Sequence, residues 1–194
     1  MTQRKVQAQS GFTIIETMIA ITIMSIGIMT LIAAFATAVT ATNNAQENLI
    51  ARQKTLETME SIYTARNAQQ ITFGQIANTA SGGIFTGGAT QLLAAGPDGL
   101  VNTADDVNFP AAGVCPAGPE CITLPGPDGI LGNGDDKALS LANFTRQIQI
   151  NNVLNPDGTT NSTLKQITVT VSYTTGGSTT PRSYSVNALI SSFH

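Results

Sequence analysis

After residue 11 the chain turns apolar for about 25 residues, long enough to cross a bilayer as a helix. Between Lys5 and Glu47 the only charge is Glu16. In hydrocarbon only a ladder of hydrogen bonds within the segment satisfies the backbone, so the pattern predicts a membrane-spanning helix. All eight prolines lie at Pro97 or later, which lets helix continue beyond the apolar stretch. From 43 to 67, Leu49, Leu56, Met59 and Tyr63 recur at helical spacing among Glu47, Arg52, Lys54, Glu57, Glu60 and Arg66. A helix over 13–67 would measure about 80 Å, of which about 30 Å lies in the membrane. Its outer half therefore needs an apolar partner.

The C-terminal third supplies one. Over 164–175, Ile167, Val169, Val171 and Tyr173 alternate with Gln166, Thr168, Thr170 and Ser172, which predicts a strand with one apolar face. Thr175-Gly176-Gly177-Ser178 reads as a turn, and Tyr184, Val186, Ala188 and Ile190 alternate again, so the two strands should pair as an antiparallel hairpin. A third strand is expected over 144–153, with Ile148 and Ile150 on its apolar side. The fold class is thus α+β, a long helix covered in its outer half by a small antiparallel sheet. The expected organisation is 1–11 as a leader, 12–42 as the membrane helix, 43–68 as its amphipathic continuation, 69–143 as a looped region and 144–194 as the sheet.

Charge and composition narrow the function classes. The 194-residue chain is 42% hydrophobic and 11% charged, with a net charge of −3 that becomes −5 if Arg4 and Lys5 are removed. No basic surface large enough for a nucleic-acid partner remains. Arg4 and Lys5 precede the apolar run, so the positive-inside rule puts the N-terminus in the cytoplasm and the rest outside, in a bacterium the periplasm. That compartment favours a disulfide between Cys115 and Cys121, the only cysteines, across a loop holding two prolines and a glycine. A structural zinc site is short of ligands with two thiols and the single His194, and a redox centre ordinarily has C-x-x-C spacing. A lone terminal histidine with no phosphate loop or nucleophile elbow makes an enzyme a poor reading.

The start of the chain carries the sharpest motif. A small residue, Gly11, lies before the apolar run instead of after it, followed by Phe12, Thr13 and, four residues beyond Phe12, Glu16. This arrangement resembles the prepilin signal of the type IV pilins and the pseudopilins of type II secretion. The resemblance covers residues 11 to about 40. It implies cleavage after Gly11 by a prepilin peptidase, methylation of the new amine at Phe12, and assembly with other pilin or pseudopilin subunits. It also implies a lollipop shape, a single-pass inner-membrane location before filament entry, and a helix packed in the filament core. A carboxylate inside a membrane helix costs about 2.5 to 3.5 kcal/mol unless it is paired or interfacial. The freed Phe12 amine of a neighbouring subunit is the partner that the resemblance implies for Glu16, which makes it an assembly determinant alongside Thr13. The alternative is a glutamate that only reaches the headgroups. The absence of proline in the membrane segment and the central position of Cys115 and Cys121 resemble a minor pilin or minor pseudopilin, and the strand-turn-strand ending at Ser191 resembles V-type minor pilins and I-type pseudopilins.

The middle of the chain holds an internal repeat. Gly96-Pro97-Asp98-Gly99 followed by Asp105-Asp106 matches Gly126-Pro127-Asp128-Gly129 followed by Asp135-Asp136 at a constant offset. Each Pro-Asp-Gly starts a turn, and the carboxylate pair folding back would cluster oxygen ligands for Ca²⁺: Asp98, Asp105 and Asp106 in one site, Asp128, Asp135 and Asp136 in the other. The pattern departs from the EF-hand loop, and two solvated acidic turns are the competing reading. A membrane-anchored periplasmic module, calcium-binding or adhesin-like and without a filament role, is the alternative function. The fate of the bond between Gly11 and Phe12 separates the two.

Overall fold

The computed structural model describes residues 11–175 and 180–193. The chain divides into two compact units, one ending at Ala45 and one beginning at Gln46. A single α-helix, α1 (Ile14–Asn67), contributes to both. Within the first unit its side chains lie exposed around the whole circumference. They are apolar on every side, as a membrane span or a buried filament core requires. It is the one helix, among the described residues, long and apolar enough to cross a membrane.

Hydroxyls interrupt this apolar surface without leaving a polar group unsatisfied. Thr17, Thr22, Ser25, Thr30, Thr37, Thr40 and Thr42 each donate to the carbonyl three or four residues back, at 2.7–3.0 Å. A serine or threonine bonded in this way presents mainly its carbon atoms to the surroundings.

The second unit is built on six strands: β1 (Thr90–Gln91), β2 (Cys121–Leu124), β3 (Lys137–Ser140), β4 (Phe144–Leu154), β5 (Thr160–Tyr173) and β6 (Arg182–Ser191). Four form an antiparallel sheet in the order β1-β4-β5-β6, and β2 and β3 form a separate antiparallel ribbon. Register follows the two-residue period of the sequence. Ile167, Val169, Val171 and Tyr173 of β5 are all buried, opposite Ile150, Ile148, Arg146 and Phe144 of β4. The turn expected over 175–178 lies largely outside the described residues. Thr175 and the register of β5 with β6, from Leu164–Ser191 to Tyr173–Arg182, fit the antiparallel hairpin.

Two clusters make the core between the second unit's helical segment and its sheet. Met59, Ile62 and Ala65 meet Ile148, Ile150, Ile167 and Val169, together with Ile71, Ile76, Phe85 and Leu100 from the following loops. Ile50 and Ala51 meet Leu92, Leu141, Val171 and the stacked pair Phe144 and Tyr173, whose ring centroids lie 5.2 Å apart. Polar ties fix the same packing. The Tyr63 hydroxyl donates to the Leu189 carbonyl at 2.7 Å. The Asn78 side-chain amide bonds both the Ile148 carbonyl and the Ile150 N–H, extending the β4 edge with a side chain in place of a strand.

The helix face that the sheet covers differs from the stripe expected. Met59 is buried, but Leu49 and Leu56 are exposed, and Thr55 and Thr58 take their place inside. Each threonine hydroxyl returns to the carbonyl four residues back, Thr55 to Ala51 at 2.7 Å and Thr58 to Lys54 at 2.8 Å. Bonded so, a threonine packs as a small branched apolar residue and lets the sheet approach closely.

The looped region also holds more structure than its composition implied. It contains β1, the β2–β3 ribbon and a short 3-10 turn at Thr79–Ser81. Lys54 of α1 pairs with Glu57 at 2.9 Å and with Glu120, beside β2. Burial pulls the Lys54 amine down, but the hydrogen bonds to Glu120 and Glu57 outweigh it and hold the group above its ordinary value.

Candidate processing and assembly site

Gly11, Phe12 and Thr13 precede the helix in extended or irregular backbone, and α1 begins at Ile14. Thr13 is the N-cap. Its Oγ1 accepts the Glu16 N–H at 3.3 Å and its carbonyl accepts the Thr17 N–H at 3.2 Å. Thr13-Ile14-Ile15-Glu16 thus has the spacing of a capping box, a signal present in the sequence that the family resemblance alone did not expose. Glu16 occupies the first turn, where the helix dipole favours a carboxylate.

Gly11 has no heavy atom within 4 Å of where a Cβ would sit, and Phe12 is 82% exposed. The bond between them is therefore open to an enzyme. Glu16 is exposed and, among the described residues, has no cationic partner. Arg4 and Lys5 lie outside the described residues. The geometry brings Thr13 and Glu16 together at a helix start, with Phe12 on its approach.

The acidic repeats adopt one shape twice. Gly99 and Gly129 have φ of 70° and 72°, and their N–H groups bond the Gly96 and Gly126 carbonyls at 3.0 and 3.1 Å. A Cβ on Gly96 would collide with Asp105, and one on Gly126 with Asp135, so the loop closes on its own glycine. Asp98 Oδ1 accepts the Leu100 N–H at 2.8 Å, and Asp128 Oδ1 accepts the Ile130 N–H at 2.9 Å. Asp106 Oδ2 accepts the Asn102 N–H at 2.8 Å, and Asp136 Oδ2 accepts the Gly132 N–H at 2.7 Å. Asp105 accepts from the Thr103 hydroxyl at 2.7 Å, which holds its carboxyl below the usual range against the opposing effect of desolvation.

Asp98, Asp105, Asp106, Asp128 and one oxygen of Asp136 thus serve the loops' own N–H and O–H groups, while Asp136 Oδ1 is buried without a hydrogen-bond partner. Among the described residues no three His, Cys, Asp or Glu side chains gather as a metal site, so the geometry adds nothing to the Ca²⁺ expectation drawn from the repeat. Cys115 and Cys121 form the expected disulfide. Neither thiol is free for nucleophilic or redox work. His194 lies outside the described residues.

The comparisons with known proteins bear on the N-terminal segment. A family model described as the prokaryotic N-terminal methylation motif matches residues 7–32, which include Gly11, Phe12, Thr13 and Glu16. No curated protein and no solved structure matches the chain. The motif and the apolar helix that follows it support a structural subunit of the pilin or pseudopilin type, anchored in a membrane before it enters a filament.

Proposed function

We propose that the chain is a minor pilin or minor pseudopilin, cleaved after Gly11 by a prepilin peptidase and methylated at Phe12. The observation that carries this reading is the methylation motif over 7–32, in register with a capped helix start and a Glu16 that has no cationic partner among the described residues. The N-terminus begins in the cytoplasm and the unit from Gln46 onward in the periplasm, by the asymmetry of Arg4 and Lys5. Cleavage creates the missing cation. The amine of Phe12 in one subunit pairs with Glu16 of its neighbour, so two charges enter an apolar core only as a neutral pair.

Pairing between subunits makes Glu16 a register device: the helix inserts in a membrane without it, but one axial position in the filament is favoured with it. Glu16→Ala is therefore expected to leave the protein in the membrane fraction and to lower its recovery in sheared filaments at least tenfold. Glu16→Ala protein recovered in filaments at the level of the unsubstituted chain would show that Glu16 only reaches the headgroups.

A further inference from the structure

Arg146 shares the buried face of β4 with Phe144 and Ile148 and is only 3% exposed. Its Nε–H donates to Asn102 Oδ1 at 2.7 Å. Its Nη2, however, is buried with no hydrogen-bond partner, and no carboxylate reaches ion-pair distance among the described residues. Burial pulls the guanidinium down, and the fields of Asp106, Glu120 and Glu57 oppose that without contact. A charge so placed lacks the acceptor that ordinarily compensates its desolvation.

The same guanidinium lines a cavity of about 240 Å³ between α1 and the first acidic repeat. Lys54, Glu57 and Glu120 also line it. Lys54 serves both acids at once, Glu57 at 2.9 Å and Glu120, so these three side chains together carry one negative charge in excess. One cation without a partner and one excess anion thus face the same space. Its occupant is therefore neutral overall but charged at both ends, because a simple anion would meet the two acids and a simple cation the two bases. Val101 and Phe109 give the rest of the wall an apolar character. The volume is that of about eight waters, enough for a molecule of about ten non-hydrogen atoms.

We propose that this cavity binds a small zwitterion of the α-amino-acid type with an apolar side chain. The ligand's carboxylate pairs with the Arg146 guanidinium, its ammonium group with Glu57 and Glu120, and its side chain packs on Val101 and Phe109. The site lies wholly in the unit that begins at Gln46, so it does not depend on the filament reading.

The test is titration calorimetry of the full-length chain in detergent micelles with three probes: L-leucine, leucinamide, which lacks the carboxylate, and 4-methylpentanoate, which lacks the amine. The expected result is a saturable heat with L-leucine and binding of each analogue at least tenfold weaker. Arg146 is buried and its replacement endangers the fold, so the variant is Glu57→Gln, whose side chain is 61% exposed and whose neutralisation removes the excess negative charge. It should weaken L-leucine at least fivefold. No heat from L-leucine at about 10 mM, in protein that still unfolds cooperatively, means that water fills the cavity and overturns the proposal. Either analogue binding as tightly as L-leucine also overturns it, as does unchanged L-leucine binding by Glu57→Gln.

Discussion

Single side chains carry most of the functional weight in this chain, and Thr13 shows how. Its hydroxyl caps α1 by accepting the Glu16 N–H, which ties the helix start to the residue expected to find a neighbour's amine. Loss of an N-cap costs about 1 kcal/mol, a factor of about 5 in local opening. Thr13→Ala should therefore speed amide exchange at Glu16 about fivefold in detergent-solubilised protein, while Thr13→Ser should not. Equal exchange in all three proteins would remove the cap from the account. Lys54 gives a pH signature. Its folded-state value is raised by Glu120 and Glu57, so its contribution to stability is complete below the unfolded value near 10.5 and is lost as pH rises through the folded one. The unsubstituted protein is expected to lose thermal stability above about pH 10, and Lys54→Met should flatten that fall. Asp105 acts in the opposite direction, since the Thr103 hydroxyl lowers its value: its contribution is present above the unfolded value and fades as pH falls through the folded one.

Between elements, the two acidic repeats offer a paired comparison. Truncating Leu100, buried against β4 and β5, opens a cavity and should cost about 3 kcal/mol. Truncating Ile130, exposed in the free chain, should change stability by less than about 0.5 kcal/mol. Chemical denaturation of Leu100→Ala and Ile130→Ala measures both. Equal losses would mean that Ile130 is packed as Leu100 is. The disulfide between Cys115 and Cys121 closes a short loop, and in the chain-entropy account its removal should cost about 2 kcal/mol. The sequence made the long elements readable: strict alternation from Ile167 to Tyr173 set the face of β5, and helical spacing carried α1 to Asn67, where the structure ends it. It hid the buried threonines Thr55 and Thr58, whose hydroxyls count as polar until bonded to the preceding turn. It also hid the β2–β3 ribbon, whose four-residue strands have too few positions to display a period. Nor does apolar character separate Leu100 from Ile130. The contact between Asn102 and Arg146 separates them, and it spans 44 positions of sequence.

For the whole molecule, the two units bring different evidence. The unit through Ala45 has the methylation motif and an apolar helix whose hydroxyls are satisfied internally, both suited to a membrane and then to a filament core. The unit from Gln46 has a core of its own and resembles no solved structure, so its sequence alone could not name a partner. The motif was legible because Gly11, Phe12 and Glu16 are close in sequence, whereas the partner expected for Glu16, the Phe12 amine of a neighbouring subunit, came from the family resemblance and not from any pattern in the residues. The central claim is that the chain is a processed filament subunit, and intact-mass spectrometry of the membrane-extracted protein tests it most directly. A processed subunit has the mass of a mature chain that begins at Phe12 and carries one added methyl group on its N-terminal amine. A chain that still begins at Met1, in cells with an active prepilin peptidase, would contradict it.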